Sequence, residues 1–244
     1  LPTESPCFEI TRFQLRDAES RPIPGFEWLQ EQLAHDEAGP LAGRCVGAQG
    51  VGWLIDHGQT LLARRGYVTT RLLAAPQDLS TGTLTLTLIP GRIRAIRFDE
   101  GAPSGNLFTN ALPVEAGDLL NLRDIEQALE NLKRVPTADA DIQITPAEGA
   151  DAHIGDSDLV IVHRQASRVR WNLSLDDSGT KATGKLLSSA TLSLDNALHA
   201  NDLFYLTVNT DMGAGDPGPR GTHGKAAHYS WPVGYWTWGL TWNE

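Results

Sequence analysis

The sequence has no run of about 18 or more apolar residues, so it offers no candidate transmembrane helix. Membrane β-strands escape that exclusion, because they are short and alternate in polarity. The first residues, Leu1-Pro2-Thr3, carry neither a basic cluster nor an apolar run, which reads as a mature or trimmed chain without a signal peptide. Positive charge is scarce: 20 Lys and Arg stand against 30 Asp and Glu, a net charge of −10. Phosphate binding needs a basic face, so nucleic acid is not an expected partner. HExxH, GxSxG and P-loop motifs are all absent, and the seven histidines are scattered. Asp176 and Asp177 are adjacent carboxylates, but neighbouring strand residues face opposite sides and cannot share a proton. No enzyme activity and no cofactor are expected.

Cysteine is nearly missing, with Cys7 and Cys45 alone. Two thiolates cannot complete a structural zinc site, and no CxxC or CxxH spacing supports one. A reducing compartment would leave two free thiols and an oxidising one a disulfide; composition does not choose between them. At 244 residues, 41% hydrophobic and 20% charged, the chain suits one large folded domain or two to three small ones.

Periodicity divides the chain. Phe8, Ile10, Phe13 and Leu15 predict a strand over Cys7–Leu15, broken by Pro22, Pro24 and Gly25. Phe26, Leu29 and Leu33 recur at helical spacing over Phe26–His35, and Gly39-Pro40 ends that region. A longer helix runs through Val51, Leu54, Ile55, Leu61 and Leu62 to Arg64-Arg65-Gly66, where cations suit the C-terminus and Gly66 the left-handed stop. Strands are predicted over Tyr67–Ala74 and Thr83–Ile89. The order then repeats. Arg92–Phe98 alternates loosely, Leu107–Leu112 suits a short helix, and Leu122, Ile125, Leu129 and Leu132 share one face of a helix closed by Arg134 before Pro136. Ile142 with Ile144, and Leu159 with Ile161, mark two further strands. Tandem small α/β units are implied.

After Ser167 a period of two dominates. Trp171, Leu173 and Leu175, then Ala190, Leu192 and Leu194, then Phe204, Leu206 and Val208, alternate with polar residues. Trp236, Trp238, Leu240 and Trp242 do the same, and turn-rich breaks fall at Asp176–Thr183, Asp195–Asp202 and Gly213–Gly224. The polar face carries Ser, Thr, Asn and Gly, while the other becomes tryptophan-dense toward Trp231–Trp242, as the aromatic girdle of an outer-membrane barrel does. His223 and His228, five apart, fall on opposite strand faces.

Several strings, in order, carry a family resemblance: Cys7-Phe8-Glu9-Ile10, Arg65-Gly66-Tyr67-Val68-Thr69, Gln77-Asp78-Leu79-Ser80 and Pro90-Gly91-Arg92-Ile93. They continue through Asp124-Ile125-Glu126-Gln127-Ala128-Leu129-Glu130-Asn131-Leu132-Lys133-Arg134, Ser157-Asp158-Leu159-Val160-Ile161, Leu175-Asp176-Asp177-Ser178-Gly179 and Asp202-Leu203-Phe204-Tyr205-Leu206. Over essentially its whole length the chain resembles the two-partner secretion transporters of the haemolysin and filamentous-haemagglutinin type. The resemblance implies an α+β fold: two tandem POTRA (polypeptide-transport-associated) domains, β-α-α-β-β, over 6–91 and 92–166, followed by the first antiparallel strands of a transmembrane β-barrel over 167–244. It also implies a cell outer membrane location with the POTRA domains in the periplasm, and therefore a Cys7–Cys45 disulfide.

The family carries a plug helix and linker before its first POTRA domain and a pore loop later in its barrel. Neither is found here, so the chain reads as a trimmed piece of a longer transporter. Its expected partners are a large secreted protein (haemolysin, adhesin or contact-dependent toxin), recognised through its N-terminal secretion domain, and, in the full-length protein, outer membrane lipid. Strand addition at an open sheet edge would suit capture of an extended chain. The candidate positions are Tyr67, Val68 and Leu72 on the strand Tyr67–Ala74, Ile142 and Ile144 on the later one, and Arg64 and Arg65 beside the first. Each has an ordinary alternative, as a sheet residue, a core residue or a helix cap. A periplasmic chaperone-like binding module and a barrel-assembly factor are the alternative functions, and cargo selectivity separates them.

Overall fold

The computed structural model describes residues 1–36, 39–99, 109–180, 183–212 and 223–244. In chain order the elements are β1 (Phe8–Ile10), β2 (Arg12–Arg16), α1 (Glu27–Ala34), β3 (His35–Asp36), β4 (Gly39–Pro40), β5 (Arg44–Val46) and α2 (Ala48–Arg64). There follow β6 (Arg71–Leu73), β7 (Thr83–Ile89), β8 (Arg92–Phe98), α3 (Leu122–Lys133), β9 (Ala138–Pro146) and β10 (Asp156–Gln165). The last five are β11 (Val169–Asp176), β12 (Leu187–Asp195), β13 (Leu203–Asp211), β14 (His223–Val233) and β15 (Trp236–Asn243). Two compact units result, one of Leu1–Ile96, Ala116–Arg123 and Ile144–Leu159, the other of Arg97–Glu115, Asp124–Gln143 and Val160–Glu244.

The first unit is built on the sheet β2-β7-β6, in which β2 runs parallel to β7 and β6 antiparallel to it. The alternating Thr and Leu of β7 send Leu84, Leu86 and Leu88 into the core, where Leu29 and Leu33 of α1 and Leu54 and Leu62 of α2 meet them. Helix and sheet approach closely at Gly58, where a Cβ would come within 2.5 Å of Leu72 Cδ2. α2 stops as its sequence dictates. Gly66 takes φ +91, its N–H donates to Ala63 O, and the Tyr67 N–H reaches back to Leu62 O.

Two predicted strands are corrected. Cys7–Leu15 is not one strand, because the Gly82 carbonyl accepts both Thr11 and Arg12 N–H and redirects the chain there. β1 accordingly pairs with β5, and β2 with β7. Tyr67–Ala74 narrows to the three residues of β6. Upstream of it the backbone is already engaged, with Tyr67 and Val68 N–H bonded within the helix stop and Thr70 O held by the Gln59 side chain, which also takes the Leu72 N–H of β6 itself. Of the predicted helix Leu107–Leu112, residues 107 and 108 lie outside the described residues, and Thr109–Ala111 forms a single 3-10 turn. Most of the Gly213–Gly224 break, and residues 181–182 of the Asp176–Thr183 break, also lie outside them.

The N-terminal segment supplies a cap that α2 lacks. Its first turn has no acidic residue and its N-cap, Gly47, has no side chain. Glu4 fills the gap: its Oε1 accepts Gly47 and Gly50 N–H at 2.8 and 2.7 Å, and its Oε2 accepts Gln49 N–H at 2.8 Å. Gly47 is required, since a Cβ there would lie 2.4 Å from Pro6 O. Removal of Glu4 from water pushes its carboxyl up, but the three backbone donors outweigh that and hold it below its ordinary value. A depressed carboxylate stabilises the fold fully above its unfolded pKa, and the gain disappears as pH falls through the folded one. The thermal midpoint is therefore expected to drop between the ordinary carboxylate value of 4.5 and more acidic pH. Glu4→Gln should flatten that dependence in pH-resolved melting; an unchanged slope would remove Glu4 from the account.

In the second unit, β11 to β15 form an antiparallel sheet in sequence order. Its register places Trp171, Leu192, Leu206, Ala227 and Trp242 in one cross-strand row, and Val169, Leu194, Phe204, Tyr229 and Leu240 in the next. The opposite face is polar, with Thr191 bonded to Thr207 and Tyr205 stacked on His228. The apolar face is open: Trp171 is 74% exposed and Trp236 73%. No described helix is long and apolar enough to cross a membrane, which says nothing of strands.

Candidate partner-binding surfaces

An open sheet edge presents unpaired backbone groups, so edges are where an extended chain could add. Three edges matter: β2 and β6 flank β7 in the sheet β2-β7-β6, and β9 flanks β10 in the sheet β8-β10-β9. β6, with three residues, offers little length. Its Leu72 is buried in the core, while Leu73 is exposed. Ile142 and Ile144 are both half-buried on the longer β9.

Tyr67 and Val68 lie ahead of β6 rather than on it. The Tyr67 ring packs against Phe26 and stacks on Trp28, with centroids 5.0 and 6.5 Å away. Arg65 extends this group, its guanidinium 3.8 Å from the Trp28 ring centroid. Arg64 and Arg65 close α2, and their carbonyls accept from Arg123 and Asn121. Tyr67 and Arg65 thus meet around Trp28, a residue the sequence reading passed over, while Val68, half-buried beside Tyr67, shares none of these ring contacts.

The sequence reading also missed the edge of β2. A cleft of about 350 Å³ runs there, lined by Leu15, Arg16, Pro22, Ile23, Phe26, Glu27, Gln30 and Glu31. The Leu15 N–H, directed away from β7, is held by Gln30 Oε1 at 3.1 Å, so α1 stands beside the outer edge of β2 and occupies one of its donors. The signal was present in Pro22-Ile23-Pro24, an apolar residue held between two prolines at the mouth of a helix. Its position against β2 follows only from the parallel pairing with β7.

Cys7 and Cys45 are joined, with Cα atoms 5.3 Å apart, and lock the short ribbon β1–β5. Among the described residues no group of three His, Cys, Asp or Glu is placed to hold a metal. Arg94 makes a two-pronged ion pair with Asp158, Nε to Oδ1 at 2.9 Å and Nη2 to Oδ2 at 2.6 Å, which raises the guanidinium pKa further.

Comparison with known proteins agrees with this geometry. Residues 8–91 match a family model described as a POTRA domain of ShlB type, and residues 92–146 match one described as a POTRA domain. Residues 155–244 match the haemolysin secretion/activation protein family ShlB/FhaC/HecB. The chain is 42% identical over 249 residues to the outer membrane transporter CdiB-2 of Burkholderia pseudomallei, covering 97% of this chain and 41% of that protein. It is 25% identical to the hemolysin transporter protein HpmB of Proteus mirabilis, covering 81% and 34%. Among solved structures it superposes on CdiB from Acinetobacter baumannii with TM-score 0.84 and 30% identity, covering 100% of this chain and 45% of that one. CdiB from Escherichia coli gives 0.79 and 28%, covering 99% and 43%. The chain thus spans less than half the length of these relatives.

Proposed function

The chain belongs to the haemolysin secretion/activation protein family, ShlB/FhaC/HecB, and from that premise we propose that it is the capture and delivery part of a two-partner secretion transporter in the outer membrane. In this reading residues 6–91 and 92–166 are two periplasmic POTRA domains, and 167–244 are the first strands of the barrel. The domains recognise the secretion domain of one large exoprotein and guide it, unfolded, to the pore. The exposed row of Trp and Leu on the sheet β11–β15 faces lipid in the whole protein, and the Ser/Thr/Asn face lines its wet interior.

The observation that carries this reading is the cleft beside α1 at the outer edge of β2, where an incoming strand would displace the Gln30 side chain from the Leu15 N–H. An incoming strand gains main-chain hydrogen bonds worth roughly 0.5–1.5 kcal/mol each, and an apolar side chain can enter beside Ile23 and Phe26. β9, with Ile142 and Ile144, offers a second edge of the same kind. Leu72 is buried in the core, so the accessible candidates carry the reading, and Arg64 and Arg65 also serve the helix end.

Binding titrations of this fragment test the proposal, using the secretion domain encoded beside it and an unrelated unfolded chain. Preference for the secretion domain is expected. Ile23→Asp, which places a charge in the cleft, should weaken that binding about tenfold, equivalent to about 1.4 kcal/mol. Equal affinity for both chains would sink the dedicated-transporter reading.

A further inference from the structure

α3 carries two stripes. Ile125, Ala128 and Leu132 are buried on one, as an amphipathic helix requires. Asp124, Gln127, Asn131 and Arg134 recur at intervals of three, four and three residues, so they share a second face. A surface helix would leave such a stripe in water. Here Asn131 is only 4% exposed, and every polar atom of its side chain is used. Its Nδ2 donates to Ala111 O at 2.8 Å and to Gly234 O at 2.7 Å, and its Oδ1 accepts from Gln127 at 3.1 Å.

The rest of the stripe reaches this strand turn and a second one. Arg134 Nη1 donates to Asn201 O at 3.0 Å and Ser230 O at 3.1 Å, while Nη2 reaches Ser230 Oγ at 2.7 Å. The Tyr235 hydroxyl donates to Asp124. Asn110, on the 3-10 turn before the helix, sends Nδ2 to Ala200 O and Pro232 O, each at 2.8 Å. The Gly234 N–H returns to Asn110 O at 2.8 Å. Thr137, just past the helix, donates to the fully buried Asp195. Two turns are held in this way, the one between β12 and β13 and the one between β14 and β15.

The chemistry of the acceptors is informative. On the strand side, apart from Asp195 and the Ser230 hydroxyl, they are backbone carbonyls at or next to the strand turns: Ala200, Asn201, Ser230, Pro232 and Gly234. Such a contact reads where the backbone of the barrel rim lies, with little dependence on turn side chains. Buried hydrogen bonds from a charged donor favour one geometry, because a displaced member leaves a buried polar group unpaired.

We propose that Arg134, Asn131 and Asn110 are positioning residues for export: they clasp the two turns of the nascent barrel wall and so fix where a captured cargo segment is delivered. This rests on the transporter reading above. The residues touch no cargo themselves and act through the barrel turns.

The test uses the full-length transporter in the outer membrane, with Arg134→Ala, Asn131→Leu and the milder Arg134→Lys, whose ammonium cannot span all three acceptors. Barrel assembly is read by heat-modifiable migration, cargo capture by affinity for the secretion domain, and export by the cargo released. Hydrogen exchange of the amides at 198–201 and 234–235 reads the clasp itself. Assembly and affinity should stay within twofold of wild type. Turn exchange should rise at least tenfold and export fall at least tenfold in Arg134→Ala and Asn131→Leu, with Arg134→Lys between. Unchanged export despite faster turn exchange would overturn the proposal. So would a parallel loss of assembly and export in all three variants, which marks a purely structural role. Wild-type protein that fails to bind the secretion domain would instead overturn the transporter reading.

Discussion

Replacing Cys7 and Cys45 with serine should lower the melting temperature of the first unit by about 15 °C or more. The bridge closes a loop with a sequence separation of 38. On the chain-entropy view, opening such a loop in the unfolded state removes roughly 4 kcal/mol of stability. That is a large share of the whole for a domain of this size, since total stabilities run at about 5–15 kcal/mol. Local packing offers little compensation. β1 and β5 share only three residue pairs, Phe8 with Val46, Glu9 with Cys45 and Ile10 with Arg44, and Phe8 is exposed. The consequences reach further, because Glu4 lies three residues before Cys7 and caps α2. Once the bridge is gone, the segment carrying Glu4 is held by non-covalent contacts alone, its own cap on α2 and the three-residue strand β1. Circular dichroism melts of the double variant, and of the wild type with and without reductant, measure the effect. A shift below about 5 °C in both comparisons would show that the bridge adds little.

Gly66→Ala should cost about 2–3 kcal/mol, from two sources that converge on one atom. The backbone there has φ +91, and a side chain in the left-handed region costs roughly 1–2 kcal/mol. The new Cβ would also lie 2.1 Å from Asn121 Oδ1 and 3.0 Å from Asn121 Cγ. Asn121 cannot move away freely, since its Oδ1 accepts the Arg123 N–H at 3.0 Å at the start of α3, and its Nδ2 donates to Arg65 O at 3.0 Å at the end of α2. Displacing it forfeits a helix cap worth about 1 kcal/mol. The Leu122 N–H to Gly66 O bond, at 2.9 Å, strains with it. A double-mutant cycle with Asn121→Ala separates the parts. Removing Asn121 relieves the clash and forfeits the same cap, so the double variant should lose clearly less than the sum of the singles. Strict additivity in denaturant titrations would refute the shared origin.

Gly66 also shows how far local sequence reasoning carries. Arg64-Arg65-Gly66 announced a helix stop, and the stop forms as expected. The close approach of Asn121, 55 positions later in the sequence, had no local signature. The strand Tyr67–Ala74 failed for a related reason: its apolar pattern was real, but the helix stop and Gln59 had already taken the backbone groups a sheet would need. Cys7–Leu15 carried one alternating pattern yet became two strands, because the bonds from Thr11 and Arg12 to Gly82 O lie outside any pattern in that segment. Among the candidate capture residues, Ile142 and Ile144 fall on an edge strand, whereas Leu72 faces the core. Alternation tells which residues share a face, but not whether that face is covered.

What the sequence by itself determined is everything set by interactions a few residues apart. The helices α2 and α3, the strand β7 with its three inward leucines, the two-faced strands after Ser167 and the family resemblance all follow from local periodicity and ordered short motifs. Only the tertiary structure decided the rest. It set the parallel β2–β7 pairing that opens a cleft beside α1, the capping of α2 by Glu4, and the clasp in which Asn110, Asn131 and Arg134 hold turns up to 122 residues away. Those features depend on backbone carbonyls and N–H groups, which every residue but proline possesses alike. Their pairing across the chain leaves no mark on residue type, and it appears only when packing brings them together.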